Sequence, residues 1–343
     1  LWVRSVTPVT AELVGDSPLR FVGTATAGVE HVDREALAEG GIRFAAAPGA
    51  NAMAVVEYVL AALLQQREPW ERLEAGGALG IVGHGHVGRR LATFGEAMGW
   101  RVRVCDPWVA QEPSSRDFVD LPQILACDVI SLHCSLHEDT PWPSRHLIDD
   151  AALAALRDDA WLINASRGAV VDNDALRAHL ARSPALRVVL DVWEGEPDIV
   201  WDLLSCAELR LATPHIAGYS WDAKWSATCM LADVMREADL LRGELRRPEV
   251  PAPALPDARP AMPETTTQGI AALVAACYDI RRDDAALRGV LVRPGSERPG
   301  AFDDLRRDYP LRREWSALTC HEQQDGPASR FLVALSAARS AGC

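Results

Sequence analysis

The sequence predicts an α/β fold that contains a doubly wound parallel sheet, and three observations carry this prediction. Apolar strand-like segments alternate with helical patterns from residue 78 onward, which is typical of parallel sheets covered by helices on both faces. Residues 78–88, ALGIVGHGHVG, indicate a short strand and a glycine-rich turn, with a helix beginning near Arg89. A second strand, Trp100–Cys105, is followed by Asp106, 18 residues beyond Gly88, which is about the spacing of a dinucleotide-binding βαβ unit.

The glycine turn predicts a dinucleotide site of the Rossmann type. Gly83 permits the tight turn, Gly85 lets a pyrophosphate approach the backbone, and Gly88 lets the helix pack against the strand. The phosphates then meet the helix N-terminus. Asp106 is placed to accept hydrogen bonds from the adenosine ribose, and its charge would repel a 2′-phosphate, so we expect NAD rather than NADP. The full context disfavours the alternative, a glycine turn without a ligand.

The segments before this turn predict a smaller α/β unit. Its expected elements are a strand end at Leu1–Val6, a short helix at Thr10–Val14, a strand at Leu19–Thr24, a helical turn at Val29–Leu37, a strand at Ile42–Ala45, a long helix at Ala52–Gln66 and a polar connection at Glu68–Gly77. This unit precedes the dinucleotide motif in the chain.

From the glycine turn onward, the expected strands are Ala78–Val82, Val102–Cys105, Val129–His133, Ala160–Asn164, Val188–Val192 and Leu209–Ala212, with helices such as Asp149–Ala155 and Asp174–Ala181. A long helix is expected next, at Trp221–Leu241. The prolines of residues 246–263 predict a linker. Residues 264–343 then form a third unit that begins with a helix at Gln268–Tyr278.

Composition argues against several classes of function. The 343 residues carry 48 acidic and 35 basic side chains, a net charge of −13, without a long basic run. Neither nucleic acid nor an anionic membrane surface is therefore an expected partner. The eight cysteines show no C-x-x-C pair or regular spacing, which indicates a reduced, cytoplasmic protein. No apolar run is long enough to predict a membrane span.

Three polar side chains follow consecutive predicted strands and suggest hydride-transfer chemistry. They are Arg167 in INASRGAVVD, Glu196 in LDVWEGEP and His215 in ATPHIAGY. Because carboxyl ends of parallel strands meet at one edge of a sheet, we expect the three near a bound nicotinamide. His215 would take a hydroxyl proton, Glu196 would orient the imidazole, and Arg167 would hold a substrate carboxylate. Singly, each also fits a simpler interpretation: a surface arginine, a turn glutamate and a loop histidine.

The same residues carry a resemblance to a known family. In the contexts S-R-G, E-P and P-H, the three resemble the Arg–Glu–His set of the D-isomer-specific 2-hydroxyacid dehydrogenases. The longer strings that extend the resemblance to a branch with an added C-terminal unit are WVRSVT, FVGTATAG, EYVLAALL, VCDPW, SRGAVVDN, VLDVWEGEP, TPHIAGYS, YDIRRDD and RREWSAL. These strings run through nearly the whole chain.

The resemblance implies a two-lobed enzyme that oxidises a small phosphorylated 2-hydroxy acid with NAD. A flavodoxin-like substrate lobe would comprise residues 1–53 and 223–245, and the NAD domain residues 54–222. Residues 264–343 would form a small α+β dimerisation domain, so a homodimer is expected. Two alternatives stay open: a different 2-hydroxy acid substrate such as 3-phosphoglycerate, and a non-catalytic NAD-sensing protein.

The resemblance also assigns binding residues. Ser5, Thr26 and Tyr219 would contact the substrate. Besides the glycines of the turn, the residues that would contact NAD are His86, Val87, Asp106, Ser166, Asp191 and Gly218. Arg4 is a further candidate, because a phosphate near Ser5 requires a charge-assisted donor. A solvated surface arginine is the equally weighted alternative.

Three remaining features bear on the expected site. Relatives in this family begin with a strand and a helix before the RSVT segment, whereas this chain begins at Leu1 within it, so we expect the start of the substrate lobe to be missing. His84 and His86 have no other ligands nearby in sequence, so no metal is expected. Cys134 follows the third strand of the dinucleotide-binding unit and is expected to line the cofactor pocket, with no role as a nucleophile.

Overall fold

The computed structural model describes residues 1–4, 7–15, 17–112, 116–250, 267–315 and 327–341, with side chains of the last segment from residue 330. Its contacts divide the chain into two compact units. Unit 1 comprises Leu1–Ala54, Gly218–Pro253 and Leu311–Ala317, and unit 2 comprises Val55–Ala217, Ala254–Pro310 and Leu318–Cys343. No helix within the described ranges is both long and apolar enough to cross a membrane.

The described residues form nine strands and thirteen α-helices. The strands are β1 (Trp2–Val3), β2 (Phe21–Thr24), β3 (Arg43–Ala46), β4 (Ala78–Val82), β5 (Arg101–Cys105), β6 (Val129–Leu132), β7 (Trp161–Asn164), β8 (Arg187–Leu190) and β9 (Leu209–Ala212). The helices are α1 (Ala11–Val14), α2 (Arg34–Glu39), α3 (Ala52–Gln66), α4 (Glu68–Glu74), α5 (His86–Ala97), α6 (Leu121–Leu125), α7 (Asp150–Ala154), α8 (Asn173–Leu180), α9 (Trp221–Glu237), α10 (Thr267–Cys277), α11 (Ile280–Gly289), α12 (Arg298–Arg307) and α13 (Pro327–Ser340).

Unit 1 contains a three-stranded parallel sheet in the order β1-β2-β3. Thr10 and Asp33 cap α1 and α2 with their side-chain oxygens, as the sequence favours at these positions. On one face of the sheet Leu231 of α9 packs against Phe21 and Ala45, and all three are buried. Helix α9, which lies far along the chain, therefore completes the core of the N-terminal unit.

Unit 2 contains a six-stranded sheet in the order β5-β4-β6-β7-β8-β9, with every neighbouring pair parallel. The first strand of this sheet along the chain is β4. The chain then adds β5 on one side of β4 and crosses over to add β6 on the other side. Ligands of such sheets bind beyond the carboxyl ends of the strands at this switch in direction. The buried cluster over this sheet includes Ile130, Leu162 and Val188, each 0% exposed. The predicted α/β class and doubly wound parallel sheet are confirmed.

The C-terminal segment, described over residues 267–315 and 327–341, contacts the edge strand β9 through α11. Asp284 of α11 accepts a hydrogen bond from the Ala212 backbone N–H at 2.8 Å. Arg288 donates to the carbonyl oxygen of Leu209 at 2.7 Å and to that of Leu204. These bonds satisfy backbone groups that an exposed edge would leave open to another strand.

The C-terminal segment is helical in its described ranges, and the predicted separate α+β dimerisation domain stays a prediction. Its residues in the described ranges 267–315 and 327–341 form α-helices and 3₁₀ turns, without a strand. Residues 254–310 also group with unit 2, and residues 311–317 group with unit 1. The contacts of α11 with β9 explain the first grouping, and sequence periodicity holds no information about such long-range contacts. Of the predicted linker, residues 251–263 lie outside the described part.

Smaller differences concern element boundaries. The predicted polar connection Glu68–Gly77 contains helix α4, with Pro69 near its start and Trp70 buried. The glycines at the end of this segment led to the prediction of a connection, whereas it contains a helix whose apolar residues face the core. Helix α5 begins at His86 instead of near Arg89, because Gly85 already serves as its N-cap. Helix α9 ends at Glu237, whereas the sequence predicted that it would continue to Leu241.

An aromatic cluster joins α13 to the glycine-turn helix α5. Phe331 of α13 lies with its ring centroid 5.6 Å from that of Phe94 and 6.1 Å from that of Trp70. Trp100 completes the cluster, 4.9 Å from Trp70 in an edge-on arrangement. Because Trp70, Phe94 and Phe331 are 0% exposed, removing one ring leaves a cavity that the others cannot fill.

We expect Phe331→Ala to lower the free energy of unfolding by about 3–5 kcal/mol, the usual cost of truncating a buried phenylalanine. Urea denaturation followed by circular dichroism measures this change. Val333 lies on the same helix and is 63% exposed, so Val333→Ala is the matched control, with a change within about 0.5 kcal/mol. Equal effects of the two substitutions would show that α13 does not pack on α5.

Candidate active site

The three predicted catalytic side chains follow three adjacent strands of the unit 2 sheet. Arg167 follows β7, Glu196 follows β8 and His215 follows β9, and these strands lie side by side and parallel. Their carboxyl ends therefore open at the same edge of the sheet. The sequence placed the three residues after successive strands, and the strand order makes those strands neighbours.

Glu196 and His215 form a close ion pair at this edge. The Nδ1 atom of His215 lies 2.7 Å from Oε2 of Glu196, and the two side chains are 33% and 17% exposed. The backbone N–H of Trp193 donates to the other carboxylate oxygen, Oε1, at 2.7 Å. The carboxylate thus assigns the proton of the neutral ring to Nδ1, which leaves Nε2 as the acceptor.

The pair shifts both pKa values in the directions expected of a base and its partner. Burial disfavours the charged imidazolium, but the charge and hydrogen bond of Glu196 outweigh it, with a contribution from Asp191, so the pKa of His215 is raised. Burial of Glu196 is in turn outweighed by the charge and hydrogen bond of His215, and the pKa of Glu196 is lowered. His215 is therefore a stronger base than an isolated histidine.

Asp191 fixes the turn that carries His215. Its carboxylate accepts from the N–H groups of Ile216 at 2.8 Å and Ala217 at 2.9 Å, and from the Thr213 hydroxyl at 2.6 Å. The backbone of His215 has φ 56°, a left-handed conformation that is unusual for a residue with a side chain. Strain of this kind persists only where surrounding bonds hold it. Asp191 supplies those bonds, so it shapes the active-site turn whatever contact it makes with NAD.

Arg167 begins a tight turn after β7. Asn164 holds this turn, since its amide group donates to the Arg167 carbonyl at 2.9 Å and its side-chain oxygen accepts from the Ser166 hydroxyl at 2.8 Å. The Arg167 guanidinium donates to the Ser166 carbonyl at 2.9 Å. Ser166, a predicted NAD contact, directs its hydroxyl proton to Asn164. The predicted roles of Ser166 and Arg167 toward ligands stay predictions.

The glycine turn fits a pyrophosphate. Gly85 is the N-cap of α5, which no side chain caps, and a Cβ on Gly85 would meet nothing within 4 Å. Gly85 and His86, where α5 begins, are exposed, whereas Gly88 is buried against the Gly83 carbonyl. By contrast, a Cβ on Gly83 would lie 2.6 Å from the Cys134 backbone nitrogen. An uncapped helix N-terminus of this kind attracts anionic groups.

Asp106 lies beside that turn at the end of β5. Its Oδ2 accepts from the His84 N–H at 2.7 Å, and its Oδ1 accepts from the N–H groups of Trp108 and Val109 at 3.2 and 3.1 Å. These bonds hold the carboxylate next to the glycine turn, where the sequence places a ribose contact. The negative charge would oppose a 2′-phosphate at the same place.

The predicted substrate residues belong to unit 1. The guanidinium carbon of Arg4 lies 5.1 Å from the centroid of the Tyr219 ring. The Thr26 hydroxyl donates to the Gly28 carbonyl at 2.9 Å and lies 2.7 Å from the Thr24 hydroxyl. Arg4 and Tyr219 are thus brought together, whereas Thr26 belongs to the turn after β2. Ser5 lies outside the described residues.

Gly218, a predicted NAD contact, also belongs to unit 1. A Cβ at this position would lie 2.4 Å from the Asn51 side-chain nitrogen. Glycine is therefore required for close packing against Asn51, and its predicted contact with NAD stays a prediction.

Several residues of the site were not predicted from the sequence. His146 lies 2.7 Å from Glu194, whose carboxylate and N–H also pair with Asn173, so this network anchors the loop two residues before Glu196. The Tyr58 hydroxyl lies 2.7 Å from that of Thr213. Arg306 of α12 acts to lower the pKa of His215. Only Glu194, within the WEGEP string, carried a local signal; the others depend on long-range contacts.

Cys134 and the two histidines of the glycine turn have shifted pKa values. Burial raises the pKa of the Cys134 thiol to about 12, so the thiolate is not populated near neutral pH. Burial and nearby arginines lower the pKa values of His84 and His86. Within the described ranges, no group of three or more His, Cys, Asp or Glu side chains is arranged to hold a metal ion.

Known proteins are similar in sequence to this chain. Residues 59–217 match the family model described as "D-isomer specific 2-hydroxyacid dehydrogenase, NAD binding domain", and residues 250–335 match "Domain of unknown function (DUF3410)". An erythronate-4-phosphate dehydrogenase of Ectopseudomonas mendocina is 47% identical over 335 residues, which cover 97% of this chain and 87% of the relative. One from Azotobacter vinelandii is 45% identical over the same shares. The match to the NAD-binding domain model confirms NAD as the cofactor.

Solved structures share the fold. A D-lactate dehydrogenase from Treponema pallidum aligns with a TM-score of 0.55 and 27% identity over 67% of this chain and 79% of that one. The D-lactate dehydrogenase from Aquifex aeolicus, complexed with NAD and lactic acid, aligns with a TM-score of 0.56 and 23% identity over 70% and 83%. At that identity the second likeness supports the fold alone.

The geometry predicts how Glu196→Gln changes the titration of His215. The substitution removes the negative charge and leaves the burial, so we expect the raised pKa of His215 to fall below its ordinary value. Nuclear magnetic resonance of the His215 ring protons measures the titration. His179 on α8, whose pKa burial and Arg182 lower, is the internal control and keeps its midpoint. An unchanged His215 titration would contradict the ion pair.

Proposed function

Because the chain belongs to the D-isomer-specific 2-hydroxyacid dehydrogenase family, within the group of erythronate-4-phosphate dehydrogenases, we propose that it oxidises 4-phospho-D-erythronate with NAD. The product is (R)-3-hydroxy-2-oxo-4-phosphooxybutanoate, and the reaction is a step of pyridoxal 5′-phosphate biosynthesis. The single observation that carries this proposal is the His215–Glu196 pair at 2.7 Å, at the carboxyl edge of the parallel sheet, where ligands of such sheets bind.

His215 acts as the base in this proposal. Its Nε2 accepts the proton of the 2-hydroxyl group, and the resulting imidazolium is stabilised by the carboxylate of Glu196. NAD, when bound, accepts the hydride that leaves C2. Because the base must be neutral to act, the oxidation rate rises as the pH increases through the raised pKa of His215. In the reverse direction the imidazolium returns the proton to the carbonyl oxygen.

Arg167 supplies a permanent positive charge for the substrate carboxylate. A guanidinium binds a carboxylate through two parallel hydrogen bonds, and it also polarises the carbonyl that forms at C2. The turn that carries Arg167 is fixed by Asn164, so the charge is held in place before substrate arrives. This preorganisation reduces the cost of ordering the site during the reaction.

The chain's own residues provide the NAD site. The uncapped N-terminus of α5, with His86 and Val87 in its first turn, would hold the pyrophosphate. Asp106 would accept hydrogen bonds from the adenosine ribose, which favours NAD over NADP. Ser166, Asp191 and Gly218 complete the proposed set of contacts.

A homodimer in the cytoplasm is part of the proposal. Val292 of the C-terminal segment is 89% exposed, and a second copy of the chain would remove such an apolar side chain from water. Every cysteine in the described ranges is a free thiol, which suits a reducing compartment. The dimer is testable by sedimentation.

The proposal predicts NADH formation when the chain is mixed with NAD and 4-phospho-D-erythronate. We expect His215→Asn to lower kcat about 10²- to 10⁴-fold, the usual contribution of a general base, and to leave NAD affinity unchanged. Absorbance of NADH measures turnover, and calorimetry measures NAD binding. His179→Asn serves as the matched control with normal turnover.

The other outcomes identify the alternatives. Faster turnover of 3-phosphoglycerate than of 4-phospho-D-erythronate would assign a different 2-hydroxy acid. NAD binding without NADH formation from either compound would favour the NAD-sensing alternative. A loss of NAD affinity in His215→Asn equal to the loss of turnover would show that His215 is misplaced in this account.

A further inference from the structure

A buried tyrosine of unit 2 contacts the segment that leads to His215. Tyr58 of α3 is 0% exposed, and its hydroxyl oxygen lies 2.7 Å from Oγ1 of Thr213. Thr213 is also 0% exposed and comes directly after β9, two residues before His215. Burying a hydroxyl group costs free energy unless it is bonded. The proton transfer proposed for His215 makes no direct use of this hydroxyl group, so its place beside the active-site turn calls for a reason.

The hydroxyl protons fix the direction of this contact. Thr213 donates its single hydroxyl proton to Oδ1 of Asp191 at 2.6 Å, so its oxygen is left as an acceptor and Tyr58 is the donor. Burial, together with the charge of Asp191, raises the pKa of Tyr58 well above its ordinary value, so the phenol keeps the proton that it donates. The three side chains therefore form a one-way chain of hydrogen bonds, in which each bond polarises the next.

The carboxylate of Asp191 connects this chain to the turn of His215. Its oxygens accept from the N–H groups of Ile216 and Ala217 as well as from the Thr213 hydroxyl. Burial raises the pKa of Asp191, while His215, the Thr213 hydroxyl bond and the two N–H groups act in the opposite direction. The bond from Thr213 thus favours the ionised carboxylate, which accepts from backbone N–H groups more strongly than a neutral acid does.

Thr213 is held through its main chain as well. The indole N–H of Trp193 donates to the Thr213 carbonyl at 2.9 Å, and the backbone N–H of Trp193 donates to Glu196 at 2.7 Å. Trp193 is 2% exposed and therefore fixes both the strand end before His215 and the carboxylate that pairs with it. Since the main chain of Thr213 has this separate support, the bond from Tyr58 acts on the side chain of Thr213.

We propose that Tyr58 is a positioning residue for His215, acting through Thr213 and Asp191 to hold the imidazole at the 2-hydroxyl group of the substrate. This inference rests on the proposed function, because it takes His215 to be the base. A general base must lie within hydrogen-bond reach of the proton that it removes, and a small displacement slows the transfer. The effect falls on kcat and not on KM, because a separate turn, held by Asn164, carries Arg167.

The first test is Tyr58→Phe, which removes the hydroxyl group and keeps the ring. We expect kcat for 4-phospho-D-erythronate to fall about 3- to 10-fold, the size of one net hydrogen bond, with KM for this compound unchanged. Absorbance of NADH measures both constants. Tyr278→Phe is the matched control, since Tyr278 is also buried and its hydroxyl donates to Asp283 at 2.8 Å. The control loses a comparable bond and keeps the wild-type kcat.

Substitutions of Thr213 test the next bond in the chain. Thr213→Val nearly preserves the shape of the side chain and removes both hydroxyl bonds, so kcat should fall at least as far as in Tyr58→Phe. Thr213→Ser keeps a hydroxyl group that can donate to Asp191 and accept from Tyr58, so most of the lost rate should return. A role of Thr213 in packing alone would reverse this order, because valine fills the space better than serine.

Hydrogen exchange keeps the inference separate from the proposed function. Nuclear magnetic resonance follows the amides of Ile216 and Ala217, which donate to Asp191, in the chain without substrate. We expect both amides to exchange faster in Tyr58→Phe than in the wild type and Tyr278→Phe. If they do so while the wild type forms no NADH from 4-phospho-D-erythronate, the proposed function fails and the hold of Tyr58 on the turn stands.

Three results would overturn the role of Tyr58. The first is unchanged exchange of the two amides in Tyr58→Phe. The second is an unchanged kcat in this variant when the wild type is active, and the third is an equal loss of kcat in Tyr278→Phe, which would indicate general destabilisation.

Discussion

The active site depends on the adjacency of three parallel strands. Since β7, β8 and β9 lie side by side, their carboxyl ends present Arg167, Glu196 and His215 at one edge, although nearly fifty residues of chain separate the first from the last. No local motif could bring the three together. A parallel sheet with both faces buried supplies the rigid base that positions loops for catalysis.

Parts of the C-terminal segment contribute contacts to each unit separately. Helix α11 bonds to the backbone of β9 through Asp284 and Arg288, directly before the turn that carries His215. In unit 1 the segment Arg312–Glu314 holds the start of α9 and places Arg312 near Lys224. Asp284 in the string YDIRRDD and Arg312 in RREWSAL therefore make structural contacts, in unit 2 and unit 1 respectively.

Local patterns predicted much of this architecture. Strands β4 and β9 and helix α3 have the predicted bounds, because apolar periodicity and breakers such as Gly83 are local signals. The glycine turn was predictable for the same reason, whereas the pairing of Glu196 with His215 was expected from their positions after successive parallel strands. The Asp284 bond to β9, the aromatic contact of Phe331 and the contact of Arg4 with Tyr219 join residues far apart in the sequence, and a single sequence contains no signal for such pairs.

Isotope transfer tests the central claim most directly, because it follows the bond that breaks. The measurement mixes the purified chain with NAD and 4-phospho-D-erythronate deuterated at C2, and mass spectrometry then examines the reduced cofactor. The account predicts one deuterium in the reduced cofactor, with the hydroxyl proton passing to His215 and on to water. Reduced cofactor without deuterium, or deuterium released to water, would contradict direct hydride transfer at this site.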